Sequence, residues 1–164
     1  MQDFVHLHVH TQYSLLDGQA SVARLVDKAM QNGMKGIAVT DHGNMFGIKE
    51  FTNYVNKKNS GPKGEIKDLK KRLVGIEAGS IECEDKEAEV AACKAKIVEA
   101  ENKLFKPIIG CEMYVARRTM DLKEGKQDQS GYHLIVLAKN ETGYHNLIKL
   151  VSVSYTHLTL PTIL

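Results

Sequence analysis

A segment near the start of the chain alternates apolar residues with imidazoles, and this alternation constrains the fold more than any other feature. The segment is Phe4-Val5-His6-Leu7-His8-Val9-His10-Thr11. A period of two predicts a β-strand, because successive side chains of a strand point to opposite faces of its sheet. We therefore expect Val5, Leu7 and Val9 to pack on one face and the histidines to project together from the other.

The elements that follow favour an α/β fold. A helix is expected over Val22–Met30, with Ser21 at its start and Gly33 at its end. The apolar, β-branched run Gly36–Thr40 predicts a buried strand, and Asn44 is placed to cap a second helix. Strand, helix, strand and helix in this order are typical of a parallel sheet covered by helices.

A charge-rich stretch, residues 57–104, interrupts this rhythm. Within it, a helix is predicted over Glu82–Leu104, and Lys67–Leu73 is a candidate partner helix. Apolar residues at alternating three- and four-residue steps form a narrow seam on the longer helix; they are Val90, Cys93, Ile97, Ala100 and Leu104. We expect an inserted helical hairpin, either a solvated excursion or a binding arm, although its interleaved charges form no clear basic face.

The α/β rhythm then resumes. Pro107–Val115 and His133–Ala138 are predicted strands, and residues 141–154 are a predicted helix. His145 on that helix has no partner in the sequence pattern, so we interpret it as structural.

Length and composition are those of an ordinary globular domain. The chain has 164 residues, of which 43% are hydrophobic and 26% charged. The net charge of +2 neither requires nor excludes nucleic acid. The sequence shows no apolar run of membrane-spanning length and no signal peptide, so we expect a cytoplasmic protein with no membrane partner. The three cysteines match no zinc motif and are expected to be reduced thiols.

Candidate metal ligands come from three predicted strands. His8 and His10 belong to the first, His42 follows the second, and Glu112 lies in the third. The carboxyl ends of parallel strands meet at one edge, where ligands bind, and Asp17 can reach this edge from its loop.

Two histidines fit this arrangement less directly. His133 starts its predicted strand, so it reaches the same edge only with a different boundary or a bend. His6 lies deeper on the face of His8 and is interpreted either as supporting the ligands from behind or as a core residue. For any one histidine, a hydrogen-bonded core position is the alternative interpretation.

The donor types indicate a chemistry. Imidazole and carboxylate suit zinc, manganese or iron, and several such groups can hold two or three ions close together. Clustered ions lower the pKa of a bound water and clamp phosphoryl oxygens, so the pattern favours phosphoester hydrolysis.

Several blocks of the sequence resemble a known family. They are His8–Thr11, Tyr13–Gly18, Thr40–Gly47, Lys106–Glu112 and His133–Leu147. Together they are similar to the polymerase and histidinol phosphatase (PHP) domain, and more narrowly to the PHP domains of bacterial replicative DNA polymerase III alpha subunits. The resemblance covers residues 4–56 and 105–155.

The resemblance implies a fold and a site. The fold is a partial, distorted (β/α)₇ TIM-like barrel of the α/β class, with the helical hairpin inserted. The implied metal ligands, for up to three divalent ions, are His8, His10, Asp17, His42, Glu112 and His133. Within this set Glu112 is expected to bridge ions. Asp41, which is not in the set, is expected to orient the ligands from behind.

The resemblance also implies a function. The domain is expected to be a metal-dependent phosphoesterase or 3′–5′ exonuclease, and the parent protein a DNA-directed DNA polymerase that works with DNA and other replicase subunits. Residues 156–164 look foreign to the family, so we expect a truncated PHP domain over residues 1–155 that lacks the polymerase site.

Two alternatives remain open. One is a free-standing PHP phosphatase that acts on a small phosphate ester. The other is a non-catalytic module in which bound metals only stiffen the polymerase.

Overall fold

The computed structural model describes residues 4–119, 122, 124–128 and 131–157, and the chain divides into two compact units. One unit comprises residues 1–53 and 107–164, and the other comprises residues 54–106. The elements, in chain order, are α1 (Val22–Gln31), β1 (Gly36–Val39), α2 (Ile48–Lys58), α3 (Ser60–Glu77), α4 (Lys86–Asn102), β2 (Lys106–Val115), a 3₁₀ helix (Gly125–Asp128), β3 (Tyr132–Leu137) and α5 (Glu141–His157). Within the described residues, none of the helices combines the length and apolar character needed to cross a membrane.

The described strands form a mixed sheet in the order β1-β2-β3. A parallel bridge joins His42, beyond the end of β1, to Glu112 of β2. β3 is antiparallel to β2, with Tyr114 opposite His133. The expectation of a parallel sheet is therefore wrong for β3. A parallel crossover needs a long connection, usually a helix, whereas the described part of the β2–β3 connection contains only the short 3₁₀ helix.

The predicted first strand is also wrong as a regular element. The chain bends at Leu7 and His8, and Leu7 is half exposed. The segment still runs beside β1, because the Thr40 amide donates to the carbonyl of Val9 at 2.9 Å. However, the Val9 amide donates to the Thr40 hydroxyl rather than to a backbone carbonyl. This side-chain bond interrupts the ladder that a strand requires.

Alternate residues of β2 serve two different environments. Cys111 and Met113 are buried in a cluster with Leu147 of α5. Glu112 and Tyr114 occupy the alternate positions and therefore lie on the opposite face of the sheet. One face of β2 thus carries core contacts, while the other is available for polar chemistry.

The first helix agrees with its prediction. α1 follows Ser21, and its inward residues Val22 and Val26 are fully buried. Gly33 lies just beyond it with a φ of 75°, in the left-handed region that glycine adopts without a steric penalty.

The charge-rich stretch, residues 57–104, contains two paired helices, α3 and α4, within the second unit. Three residues of the predicted seam are buried on α4, namely Cys93, Ile97 and Ala100. α3 is longer than expected at both ends, since it runs from Ser60 to Glu77, and it includes Pro62. Proline is tolerated in the first turn, where the missing N–H would have no partner within the helix.

Asn59 closes the base of this hairpin. Its side-chain amide donates to the carbonyl of Phe105 at 2.8 Å and accepts from the amide of Phe105 at 2.9 Å. Both residues are buried, so water cannot replace these bonds. One asparagine therefore satisfies both backbone groups of a residue 46 positions away.

Replacing Asn59 with alanine is expected to destabilise the chain by about 1–3 kcal/mol, because the backbone groups of Phe105 then lose their partners in a buried place. Urea denaturation measures the change. Asn56→Ala is the matched control, since Asn56 is exposed and accepts a surface bond from Lys63. If both variants lose the same small amount of stability, the two hydrogen bonds between Asn59 and Phe105 contribute nothing to the stability of the chain.

Candidate metal centre

The buried carboxylate of Glu112 lies at the centre of the histidine cluster. Its side chain is only 2% exposed. Oε2 lies 2.8 Å from Nε2 of His8 and 2.6 Å from Nε2 of His10, and these two ring nitrogens are 3.1 Å apart. Oε1 is paired with Nδ1 of His133. One carboxylate thus meets imidazoles from two distant parts of the chain.

The carboxylate of Asp17 forms a second junction. Its Oδ2 lies 2.8 Å from Nδ1 of His10 and 2.6 Å from Nε2 of His42. His10 therefore contacts both carboxylates, one through each ring nitrogen. Because His10 connects the two carboxylates, the two junctions form one continuous cluster.

The cluster contains three overlapping groups of potential ligands, within each of which the ligand atoms lie within 4.8 Å of one another. The groups are His8, His10 and Glu112; His10, Asp17 and His42; and His42, Glu112 and His133. All six residues predicted as ligands are thus brought together, although their role as ligands stays a prediction. His6 belongs to none of these groups, and its exposed ring packs edge-on against Phe4.

The antiparallel strand explains how His133 reaches the cluster. β3 runs back along β2, so its beginning lies beside the end of β2, and His133 pairs with Tyr114. In a parallel arrangement the beginning of the strand would lie at the opposite edge. Strand direction therefore places His133, with no need for a different boundary or a bend.

Exposure within the cluster is graded. Glu112 is buried, His10 and His42 are 17% and 23% exposed, and the outer residues His8, Asp17 and His133 are slightly more than half exposed. The cluster therefore has a buried floor and an open rim. A ligand from solvent can approach the ring nitrogens and the Asp17 carboxylate from the rim.

The buried Asp41 holds the loop that carries Asp17. Its carboxylate accepts hydrogen bonds from the Thr11 amide at 2.6 Å, the Thr11 hydroxyl at 2.9 Å and the Ser14 hydroxyl at 2.6 Å. The Ser14 oxygen in turn accepts from the amide of His42 at 3.2 Å. Asp41 therefore supports the site through the loop backbone.

The loop turns tightly just before and after Asp17. Leu16 is fully exposed and has a φ of 70°, in the left-handed region that costs a non-glycine residue about 1–2 kcal/mol. At Gly18, any Cβ would lie 1.8 Å from the carbonyl oxygen of Thr11, so a side chain is excluded there. The loop accepts local strain in the conformation that points Asp17 at His10 and His42.

The histidines lower the pKa of both carboxylates in the cluster. Burial by itself raises the pKa of Glu112, but hydrogen bonds from His8 and His10 and the nearby ring charges outweigh it, so the net pKa lies below the usual value. Hydrogen bonds from His42 and His10 lower the pKa of Asp17. Both groups are therefore held in the ionised form that binds a cation.

Tyr114 is a member of this cluster that sequence reasoning missed. Its hydroxyl lies 3.0 Å from Nδ1 of His42, its ring stacks on that imidazole, and it meets the ring of His133 edge-on. Burial, then the negative charges of Glu112 and Asp17, raise its pKa, so the phenol stays neutral. Tyr114 could have been found from its position two residues after Glu112, which puts both side chains on the same face of one strand.

Cys111, beside Glu112, is not a nucleophile. Its thiol is fully buried on the α5 face, and burial raises its pKa to about 12. The chain's three cysteines are all free thiols, in agreement with the sequence prediction.

The donor set fits a divalent metal. Imidazole nitrogens and carboxylate oxygens suit zinc, manganese and iron, and shared carboxylates are suited to bridging neighbouring ions. The converging ring nitrogens and buried Glu112 form a compact donor group of the kind that such ions require.

Comparison with known sequences identifies the family. Residues 6–97 and 91–162 match the PHP domain. The chain belongs to the PHP domain family. The histidine cluster described above therefore lies within a PHP domain.

Similar proteins include three bacterial DNA polymerase III alpha subunits. The chain is 39% identical over 155 residues to that of Borreliella burgdorferi and 40% identical over 153 residues to that of Treponema pallidum, in each case over 93% of the chain and 9% of the relative. It is 32% identical over 160 residues to that of Aquifex aeolicus, over 94% of the chain and 10% of the relative. The chain thus spans about a tenth of the length of the curated relatives it matches.

Removing the Asp41 carboxylate is expected to unfold the Asp17 loop first. Asp41→Ala leaves buried donors of Thr11 and Ser14 without an acceptor, at about 1–3 kcal/mol for each such donor. Asp41→Asn keeps one carbonyl oxygen for the Thr11 amide and should recover most of that loss. Urea denaturation of both variants distinguishes them. Equal damage from the two would show that the negative charge, rather than the acceptor geometry, is what matters.

Proposed function

We propose that the site is a multi-metal phosphoesterase centre, with a 3′–5′ exonuclease as the specific activity. The observation that supports this is the convergence of four histidines on two carboxylates, those of Glu112 and Asp17. The PHP family membership makes a metal site the natural interpretation of these donors.

We propose the partial, distorted (β/α)₇ barrel as the finer description of the mixed α/β fold. Family membership supports it. In this proposal the PHP domain covers residues 1–155 with an insert at 57–104, and residues 156–164 are a foreign tail. Residues 158–164 of that tail lie outside the described residues, while α5 extends to His157.

The chemistry follows from the graded exposure. Zinc, manganese or iron ions bound there would supply an activated water and neutralise phosphoryl oxygens. Glu112 holds its imidazole partners from the buried side, while His8, Asp17 and His133 line the open rim. A phosphodiester can therefore approach from the rim without displacing the buried supports.

For the whole protein, we propose DNA-directed DNA synthesis as the parent activity. The relatives' name, DNA polymerase III subunit alpha, supports this. DNA and other replicase subunits are then its partners, and the cytoplasm its compartment. The same relatives favour this proposal over a free-standing phosphatase.

A non-catalytic, metal-stiffened module is the second candidate. It is favoured because the donor groups tie the N-terminal segment, the loop of Asp17 and the strands β2 and β3 to one another. Metal bound at those junctions would stiffen the unit whether or not it hydrolyses anything.

Binding of Zn²⁺ or Mn²⁺ is expected to raise the Tm of the chain, and a chelator should reverse the rise. At free metal one hundred times the Kd, a ligand that binds only the folded state stabilises it by about 2.7 kcal/mol. The double variant His8→Ala/His10→Ala should bind fewer ions and show little metal-dependent rise, as measured by elemental analysis and thermal denaturation.

The matched control is His6→Ala/His145→Ala, which removes two exposed histidines outside the donor groups. This variant should keep the wild-type metal content. Unchanged metal content in His8→Ala/His10→Ala would contradict the ligand assignment.

Activity separates the two candidate functions. The metal-loaded chain is incubated with single-stranded DNA labelled at its 5′ end, and the exonuclease proposal predicts stepwise shortening from the 3′ end that His8→Ala/His10→Ala lacks. Bound metal without any shortening would favour the structural module.

A further inference from the structure

His42 has a carboxylate near each of its two ring nitrogens. Its Nε2 faces Asp17 at 2.6 Å, while its Nδ1 lies 3.5 Å from Oε2 of Glu112. The imidazole therefore belongs to two of the three donor groups, one with His10 and Asp17 and one with Glu112 and His133. A ring that could bind through either nitrogen needs a further contact to select one.

Tyr114 supplies such a contact on the Nδ1 side. Its hydroxyl lies 3.0 Å from Nδ1, closer than the Glu112 oxygen. The tyrosine and imidazole rings are also nearly parallel, at 10° with centroids 5.9 Å apart. The hydroxyl can donate to a bare Nδ1 or accept from a protonated one.

The Tyr114 ring is also positioned by a second histidine. It meets the ring of His133 edge-on, with centroids 4.8 Å apart at 89°. Gly43, with a φ of 59°, leaves space beside the tyrosine ring, because a Cβ added there would lie 3.4 Å from it. The hydroxyl is therefore held in place by packing as well as by its hydrogen bond.

We propose that Tyr114 is a positioning residue that reserves Nδ1 of His42 and thereby commits His42 to metal binding through Nε2, in the group with His10 and Asp17. With a metal on Nε2, the ring carries its proton on Nδ1, and that N–H donates to the Tyr114 oxygen. A ligand histidine is commonly oriented in this way by a partner on its other nitrogen. The inference rests on the proposed metal centre and adds to it the nitrogen that His42 uses.

The decisive comparison is wild type against Tyr114→Phe, which removes the hydroxyl and keeps the ring contacts to both histidines. The chain is labelled with ¹⁵N-histidine and loaded with ¹¹³Cd²⁺, and the coupling between cadmium and each ring nitrogen is measured. Wild type should show coupling to Nε2 of His42. Tyr114→Phe should show that coupling weakened or divided between the two nitrogens.

Metal affinity is the second readout. Competition with a chelator should show Tyr114→Phe binding Zn²⁺ 10- to 100-fold more weakly, the range expected when a partner of a ligand histidine is removed. Tyr132→Phe is the matched control, because Tyr132 lies on β3 next to His133 but on the other face of the sheet and is mostly exposed. It should bind as wild type does, and circular dichroism checks that both variants are folded.

The outcomes are distinct. If wild type binds metal and Tyr114→Phe matches it in coupling and affinity, the positioning role is wrong while the metal centre stands. Coupling of wild-type His42 through Nδ1 likewise overturns this inference alone. If wild type binds neither cadmium nor zinc, the proposed metal centre and the role of Tyr114 fail together.

Discussion

The buried carboxylate of Glu112 is the group on which the rest of the site depends. An ionised carboxylate is unfavourable in a buried place unless it is paired and hydrogen-bonded. Its partners are imidazoles from the N-terminal segment and from β3, so satisfying this one charge draws distant parts of the chain together. The same contacts that stabilise the charge gather the nitrogen donors that a metal requires.

Two buried carboxylates have different roles in building the site. Glu112 is surrounded by imidazoles and therefore belongs to the reactive cluster. Asp41 is surrounded by amide and hydroxyl donors of the Asp17 loop, and therefore fixes the position of a backbone. The loop tolerates the strained conformation of Leu16 because these bonds determine its path at several points.

The hairpin of α3 and α4 contrasts with the site, because apolar contacts rather than buried charges form its interior. Its buried residues are small or aliphatic, and its ion pairs lie on the exposed surface, where each contributes little stability. At the base of the hairpin, the buried side-chain amide of Asn59 bonds to the N–H and C=O of Phe105, as a neighbouring backbone would. The charges that make this stretch conspicuous in the sequence are therefore a solvated exterior around a narrow apolar seam.

The local elements were largely predictable because they depend on short-range spacing. The apolar period of α1, the seam of α4 and the β-branched run of β1 each report which side of an element is buried, and neighbouring residues determine that. The apolar and imidazole alternation was misleading as a strand prediction, since the Thr40 hydroxyl takes the Val9 amide out of the ladder.

The sequence by itself determined the kinds of donor present and the resemblance to a family. Only the tertiary structure decided how the donors meet. The direction of β3 relative to β2 placed His133, the hydrogen bonds of Asp41 set the loop of Asp17, and the shared face of β2 brought Tyr114 to His42. These contacts join residues far apart in the chain, and their energy depends on pairing and burial, which local spacing does not encode.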